Sequence, residues 1–264
     1  GRIIDANGLG RDDTTDLLVV GLSASDIVGH SYGPASQEYL DTILRVDRWL
    51  DEFIQHAEAA GAASRGGVVF ALSSDHGVLP LPETLPWGRR IDREALLSRF
   101  EAALNASLDP EEPDHFVESF HSGHIYFDRR ALGRHDVSID RAREQARKIL
   151  TGLAGIVRVY RPVDLAASSG GDPFLELYRH SYDPRRGGDL VVQPCRGCLL
   201  VSSAEGTSHG SPYADDRDVP MILMGPGIEP ASRTRGVARW IWPRRWRRLP
   251  AWRSTRNVTG GLSP

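Results

Sequence analysis

Two short apolar runs in this chain end in the same chemistry. Leu17-Leu18-Val19-Val20-Gly21-Leu22 leads into Asp26-Ile27-Val28-Gly29-His30, and Gly67-Val68-Val69-Phe70-Ala71-Leu72 leads into Ser73-Ser74-Asp75-His76-Gly77. Continuous apolar runs of this length suit buried strands. Between them, Tyr39, Leu40, Ile43, Val46, Leu50, Phe53, Ile54 and Ala57 recur at three- and four-residue steps. That is the stripe of an amphipathic helix, with Glu38 in its first turn and Gly61 as a stop. Strand, helix, strand in so few residues predicts a right-handed βαβ unit with parallel strands. Both Asp/His pairs then fall at one edge of the sheet, on loops of the kind where open α/β sheets hold ligands. Taken singly, Asp26 and His30 could equally be a capping Asp and a solvated His. The repeat changes the balance: Asp26, His30, Asp75 and His76 are expected to converge as ligands for a divalent transition metal.

Further along, Asp92 is placed to cap a helix over residues 92–104, with Leu96, Leu97, Phe100 and Leu104 on one face. A strand is expected within 116–127, a helix over 139–153 and a strand over 157–160. This β-α-β-like block reads as an inserted α+β subdomain, extending over about 88–188. His115, His121, His124, His135 and His180 lie in or near it and read as surface or structural histidines. A hairpin is expected near 189–203, where Leu190-Val191-Val192 and Leu199-Leu200-Val201 flank Pro194-Cys195-Arg196-Gly197. Cys195 and Cys198 are the only two cysteines. Zinc sites of that spacing need a second pair, so these read as turn residues, disulfide-linked if the protein is exported. Gly206-Thr207-Ser208-His209-Gly210 then offers a third imidazole, just ahead of an apolar strand over 219–224.

Composition bounds the rest. A chain of 264 residues, 40% hydrophobic, can bury a sizeable core. The net charge of −3 hides a split. Nine arginines and no acidic residue follow Glu229, which leaves 23 basic against 35 acidic residues before it, +9 against −12. Arg239-Trp240-Ile241-Trp242-Pro243-Arg244-Arg245-Trp246-Arg247-Arg248 could in principle meet anionic lipid or nucleic acid. Pro243 and Pro250 break any long helix, and no apolar face forms. An out-of-frame end to a GC-rich gene fits residues 231–264 better than a binding tail. No signal peptide is visible, and no apolar stretch is long enough to span a membrane.

Three stretches resemble the alkaline phosphatase superfamily, in its branch of single-domain alkaline phosphatases and nucleotide pyrophosphatase/phosphodiesterases. They are Asp-Ile-Val-Gly-His-Ser-Tyr-Gly-Pro-Ala-Ser-Gln-Glu (26–38), Ser-Ser-Asp-His-Gly-Val (73–78) and Gly-Thr-Ser-His-Gly-Ser-Pro-Tyr (206–213) running to Val219-Pro220. The resemblance implies an α/β fold, a mostly parallel sheet flanked by helices, over residues 1–230. It implies two zinc ions, one held by Asp26, His30 and His209 and the other by Asp75 and His76 with further ligands. It also implies a small phosphate-ester substrate and a periplasmic or extracellular location. The family's nucleophile lies far upstream of its Asp-x-x-x-His motif, where this chain has only a short polar lead. The expectation is therefore a C-terminal portion of a phosphomonoesterase or, alternatively, a phosphodiesterase, without its catalytic nucleophile. A non-catalytic fragment with a cationic anion-binding tail is the alternative from a different class.

Overall fold

The computed structural model describes residues 1–61, 66–167 and 172–229, so the Arg/Trp segment lies outside the described residues. A short helix α1 (Arg2–Asn7) is followed by turns and a stretch outside any helix or strand, then α2 (Ala24–Tyr32) and α3 (Gln37–Gly61). Ser36 caps α3, its hydroxyl accepting from the Tyr39 amide at 3.1 Å. α2 lies on α3 where Gly29 is buried, and a Cβ at Gly29 would stand 3.3 Å from the Tyr39 ring. Strand β1 (Phe70–Ser73) follows, then β2 (Arg89–Asp92) and α4 (Arg93–Leu108). The Asp92 carboxylate accepts from the amides of Glu94 and Ala95 at 2.9 and 3.1 Å, which is the cap expected for that helix.

Next come β3 (Val117–His121), β4 (His124–Phe127), α5 (Arg129–Arg134), α6 (Ile139–Thr151) and β5 (Ile156–Tyr160). The expected single strand near 116–127 is in fact this β3–β4 hairpin. It reverses at Ser122 and Gly123, whose φ of 49° and 78° suit a tight primed turn. After α7 (Pro162–Ala166) and α8 (Pro173–Ser181), the chain forms β6 (Leu190–Pro194), β7 (Cys198–Val201), α9 (Ala214–Arg217) and β8 (Met221–Met224). No described helix is long and apolar enough to cross a membrane.

Packing is concentrated in one block. β3, β4, β6 and β5 form an antiparallel sheet in that order, with α4 and α6 packed on one another and α6 on β5. Phe100 and Leu104 of α4, Ala142, Ala146 and Leu150 of α6, Ile125 and Leu190 are wholly buried there. The two alanines present α6's flattest face, which lets neighbouring elements approach closely.

The α/β class holds, but three local expectations do not. Residues 17–22 are extended without joining a ladder among the described residues, and Val19 is 75% exposed. β1 runs antiparallel to β8, not parallel to a preceding strand. A βαβ unit requires the first run to pair, and no described strand lies beside it. Parallel pairing occurs instead between β2 and β7. The expected 189–203 hairpin is also absent: β6 pairs with β4 and β5, while β7 pairs with β2. The Cys195–Cys198 disulfide closes the turn between them. The two strands share a turn but belong to different sheets.

Candidate metal centre

The five residues singled out in the sequence are carried by three separate segments. Asp26 and His30 lie on α2 rather than on a loop, in its first and last turns. Nothing between Ala24 and Val28 opposes a helix, and Gly33 ends it in a positive-φ conformation (80°) with its amide on the Gly29 carbonyl. The i,i+4 spacing puts both side chains on one helix face, His30 Nε2 standing 3.4 Å from Asp26 Oδ1. Asp75 and His76 follow β1, with His76 Nε2 3.5 Å from Asp75 Oδ2. His209 comes from the loop before α9. Its ring stacks on His76 at 3.4 Å between centroids, and its Nε2 is 3.9 Å from Asp26 Oδ1. Asp26, His76 and His209 each offer a donor atom, all within 4.8 Å of one another. This trio mixes residues that the family resemblance assigns to two ions. His30 adjoins it, its ring centroid 5.1 Å from that of His209. Asp75 is 82% exposed at the rim.

The donor chemistry fits a divalent metal. Thr207's carbonyl lies 2.8 Å from His30 Nδ1, and Gly77's carbonyl lies 2.8 Å from His76 Nδ1. A carbonyl can only accept, so in both rings Nδ1 is the donor and Nε2 is the nitrogen turned toward the crevice. Holding the second ring nitrogen in this way is how proteins orient metal-binding histidines. Burial, aided by the neighbouring His76 and His30, holds His209 below the ordinary histidine range. A neutral imidazole is the form that binds a metal.

Backbone contacts hold the three segments together. The Thr207 amide donates to the His30 carbonyl at 2.8 Å, so His30 is gripped by Thr207 through both main chain and ring. Thr207 Oγ1 donates to the Leu79 carbonyl at 2.7 Å. The Gly77 amide donates to the Asp216 carbonyl at 2.8 Å. A Cβ on Gly77 would overlap the Asp215 carbonyl, and one on Gly206 would overlap the His30 carbonyl. The glycines beside the histidines are thus required by close backbone approach. Arg90, itself paired with Glu83, donates to the Gly206 carbonyl at 2.8 Å and braces the same loop. Thr207, Arg90 and the buried Asp216 escaped the sequence reading. Thr207 lay within the quoted 206–213 stretch, and Asp216 sat unremarked in Ala214-Asp215-Asp216-Arg217-Asp218, which reads as a solvated acidic turn.

The remaining histidines stay apart from this crevice. His124 accepts the Gly188 amide, and its burial holds it below the usual histidine range. His135 sits between Asp109 and Asp114, at 3.0 and 3.1 Å, at the ends of α4 and α5. Both of its nitrogens are already occupied by carboxylates, which makes it a structural link.

An α/β scaffold that gathers aspartates and histidines from a helix, a strand end and a glycine-rich loop defines a domain of the alkaline phosphatase superfamily. The crystal structure of wild-type alkaline phosphatase PafA superposes with a TM-score of 0.79 at 28% identity, over 88% of this chain and 44% of that one. More narrowly, the chain belongs to the type I phosphodiesterase / nucleotide pyrophosphatase family, whose model matches residues 2–215. Alkaline phosphatase PafA of Elizabethkingia meningoseptica is 29% identical over 227 residues, 86% of this chain and 41% of that protein. Alkaline phosphatase PhoK of a Sphingomonas species is 29% identical over 248 residues, 87% of this chain and 42% of that protein. The chain therefore spans less than half the length of these curated relatives.

Proposed function

We propose that the chain is the metal-binding portion of a zinc-dependent phosphate ester hydrolase of the phosphomonoesterase type, whose nucleophile comes from residues outside these 264. The observation that carries this reading is the convergence of Asp26, His76 and His209 beside His30, with Nδ1 of both His76 and His30 held by a backbone carbonyl. Asp26, His30 and His209 would hold one zinc ion, and Asp75 and His76 would contribute to a second. When bound, such ions stabilise charge on the attacking and departing oxygens of an in-line phosphoryl transfer. The chain's own part is to present Nε2 of His30 and His76 with each Nδ1 held by a backbone carbonyl, and to keep the three segments in register through Thr207 and Gly77. Zinc titration of the chain and of His76→Ala and His209→Ala tests this directly. Tight binding lost in either variant is expected, and binding untouched in both would mean that the crevice holds no metal.

Two observations support a portion lacking its nucleophile. The chain matches only 41–44% of its relatives' length. Its metal-bearing part leaves apolar side chains in water, among them Trp49 (56%) and Ile222 (55%). The chain by itself should hydrolyse p-nitrophenyl phosphate at the background rate, and enzyme-like turnover would overturn this point. A phosphodiesterase or pyrophosphatase is the second reading, favoured by the matching family's description. Rates of the longer gene product on p-nitrophenyl phosphate against its bis ester separate the two. A periplasmic or extracellular location is proposed from the family resemblance, and the Cys195–Cys198 pairing is compatible with it. Residues 231–264 are proposed to be an aberrant end, not a binding tail. If deleting them lowers affinity for anionic vesicles or oligonucleotides, that proposal fails.

A further inference from the structure

Asp216 is the most deeply buried carboxylate near the crevice, only 3% exposed, on the four-residue helix α9. It touches both histidine loops. Its Oδ2 accepts from the Ser211 amide at 2.6 Å, two residues after His209. Its carbonyl accepts from the Gly77 amide at 2.8 Å, one residue after His76. The close backbone approach at Gly77 fixes the same junction independently, since any side chain there would strike Asp215. Its other oxygen, Oδ1, is buried without a hydrogen-bond partner among the described residues. A buried carboxylate oxygen left unpaired is costly and calls for a donor.

The three imidazoles differ in a matching way. His30 and His76 each have Nδ1 held by a backbone carbonyl, whereas no such acceptor faces His209 among the described residues. We propose that Asp216 is the positioning residue for His209. It holds the His209 loop against the His76 loop, and its free Oδ1 takes the second ring N–H of His209 when that ring turns its lone pair to a metal ion. This inference rests on the metal-centre reading above. Metal-binding histidines gain both orientation and basicity from such a carboxylate. Asp216 would thus act through His209, not on the ion or the substrate.

Asp216→Asn separates positioning from bulk structure. Its amide oxygen can still accept from Ser211, while an NH2 group replaces the free acceptor. The 264-residue chain should bind zinc about 10–100-fold more weakly in this variant, the usual effect of losing such a partner. Its metal-free melting temperature should stay near that of the unsubstituted chain. Nitrogen-15 NMR of the histidine rings supplies the readout that a merely structural role would not move. On zinc loading, His209 should show a single N–H tautomer in the unsubstituted chain and a mixture in Asp216→Asn. The same His209 tautomer in both proteins, with zinc affinity within twofold, overturns the inference even if the melting temperature falls. If His76→Ala and His209→Ala also leave binding unchanged, the metal-centre reading falls with it. If those two lose zinc while Asp216→Asn keeps it, only the role of Asp216 is rejected.

Discussion

Two regions of this chain bury their apolar residues in opposite ways. In the α+β block, Phe100, Leu104, Ile125, Leu150 and Leu190 are all 0% exposed, and α4, α6 and the four-stranded sheet close a shared core. In the metal-bearing region, all four residues of β8 are exposed, and Val19 reaches 75%. α3 has the apolar stripe read from its sequence, yet only Ala57 and Gly61 of its residues are buried. Apolar stripes mark helices in both regions, and only one region has partners for the faces they create. Helical pattern sets which side a helix offers; burial needs a second surface. The metal crevice lies in the less covered region, where backbone hydrogen bonds and tight glycine contacts, rather than a large core, keep its loops together.

This contrast makes graded predictions. Phe100→Ala should cost about 3–5 kcal/mol, the usual result of emptying a fully enclosed site. Trp49→Ser and Val19→Ser should change stability by no more than about 0.5 kcal/mol, because water already reaches both side chains. Chemical denaturation of the three variants checks this, and equal losses would erase the distinction between the regions. Saturating zinc should add about 2.7 kcal/mol to the stability of the chain at a hundredfold excess over Kd, and clearly less in His209→Ala.

Asp189 makes the next largest test. It is buried in the block, accepting from the Phe127 amide at 3.0 Å and pairing with Arg129 and Arg143. Asp189→Ala should cost about 1.5–3 kcal/mol, since it strips charged hydrogen bonds from a partly buried arginine. The smallest effect is a pH dependence centred on His135. Hydrogen bonding to Asp109, then to Asp114, raises its pKa above the ordinary histidine value. Asp109 is lowered chiefly by that same bond, and Asp114 chiefly by Arg134. A raised histidine adds stability that is complete below its unfolded pKa and lost as pH rises through the folded one. Lowered carboxylates add stability that is present above their unfolded pKa and lost as pH falls through the folded values. The block should therefore be most stable between the ordinary carboxylate and histidine ranges. His135→Gln should remove the decline on the alkaline side, which melting curves taken across pH would reveal.

Much of the framework was legible in the residues because its causes are local. The stripe of α3, the Asp92 cap and the helix at 139–151 each depend on neighbours within a few positions. The Asp/His segments were equally visible, since ligand-type residues beside glycine stand out in an otherwise ordinary sequence. Other features depended on distant partners. Residues 17–22 have strand composition but no described strand to pair with, and composition cannot report whether a partner strand lies alongside. β6 and β7 share a three-residue turn, so proximity suggested a hairpin; pairing with β2 sends β7 elsewhere.

Asp26 and His30 mark the boundary between the two kinds of knowledge. Their four-residue spacing already implied side chains near one another, whether on a loop or, as found, on one face of α2. It could not say which imidazole would meet Asp26 across the crevice. That depends on Thr207 gripping His30, on Gly77 admitting the Asp216 backbone, and on His76 stacking against His209. Sequence determined the donors and their local geometry through short-range sterics and helix periodicity. Tertiary structure decided their grouping, because contacts between residues more than a hundred positions apart are set by how whole elements pack.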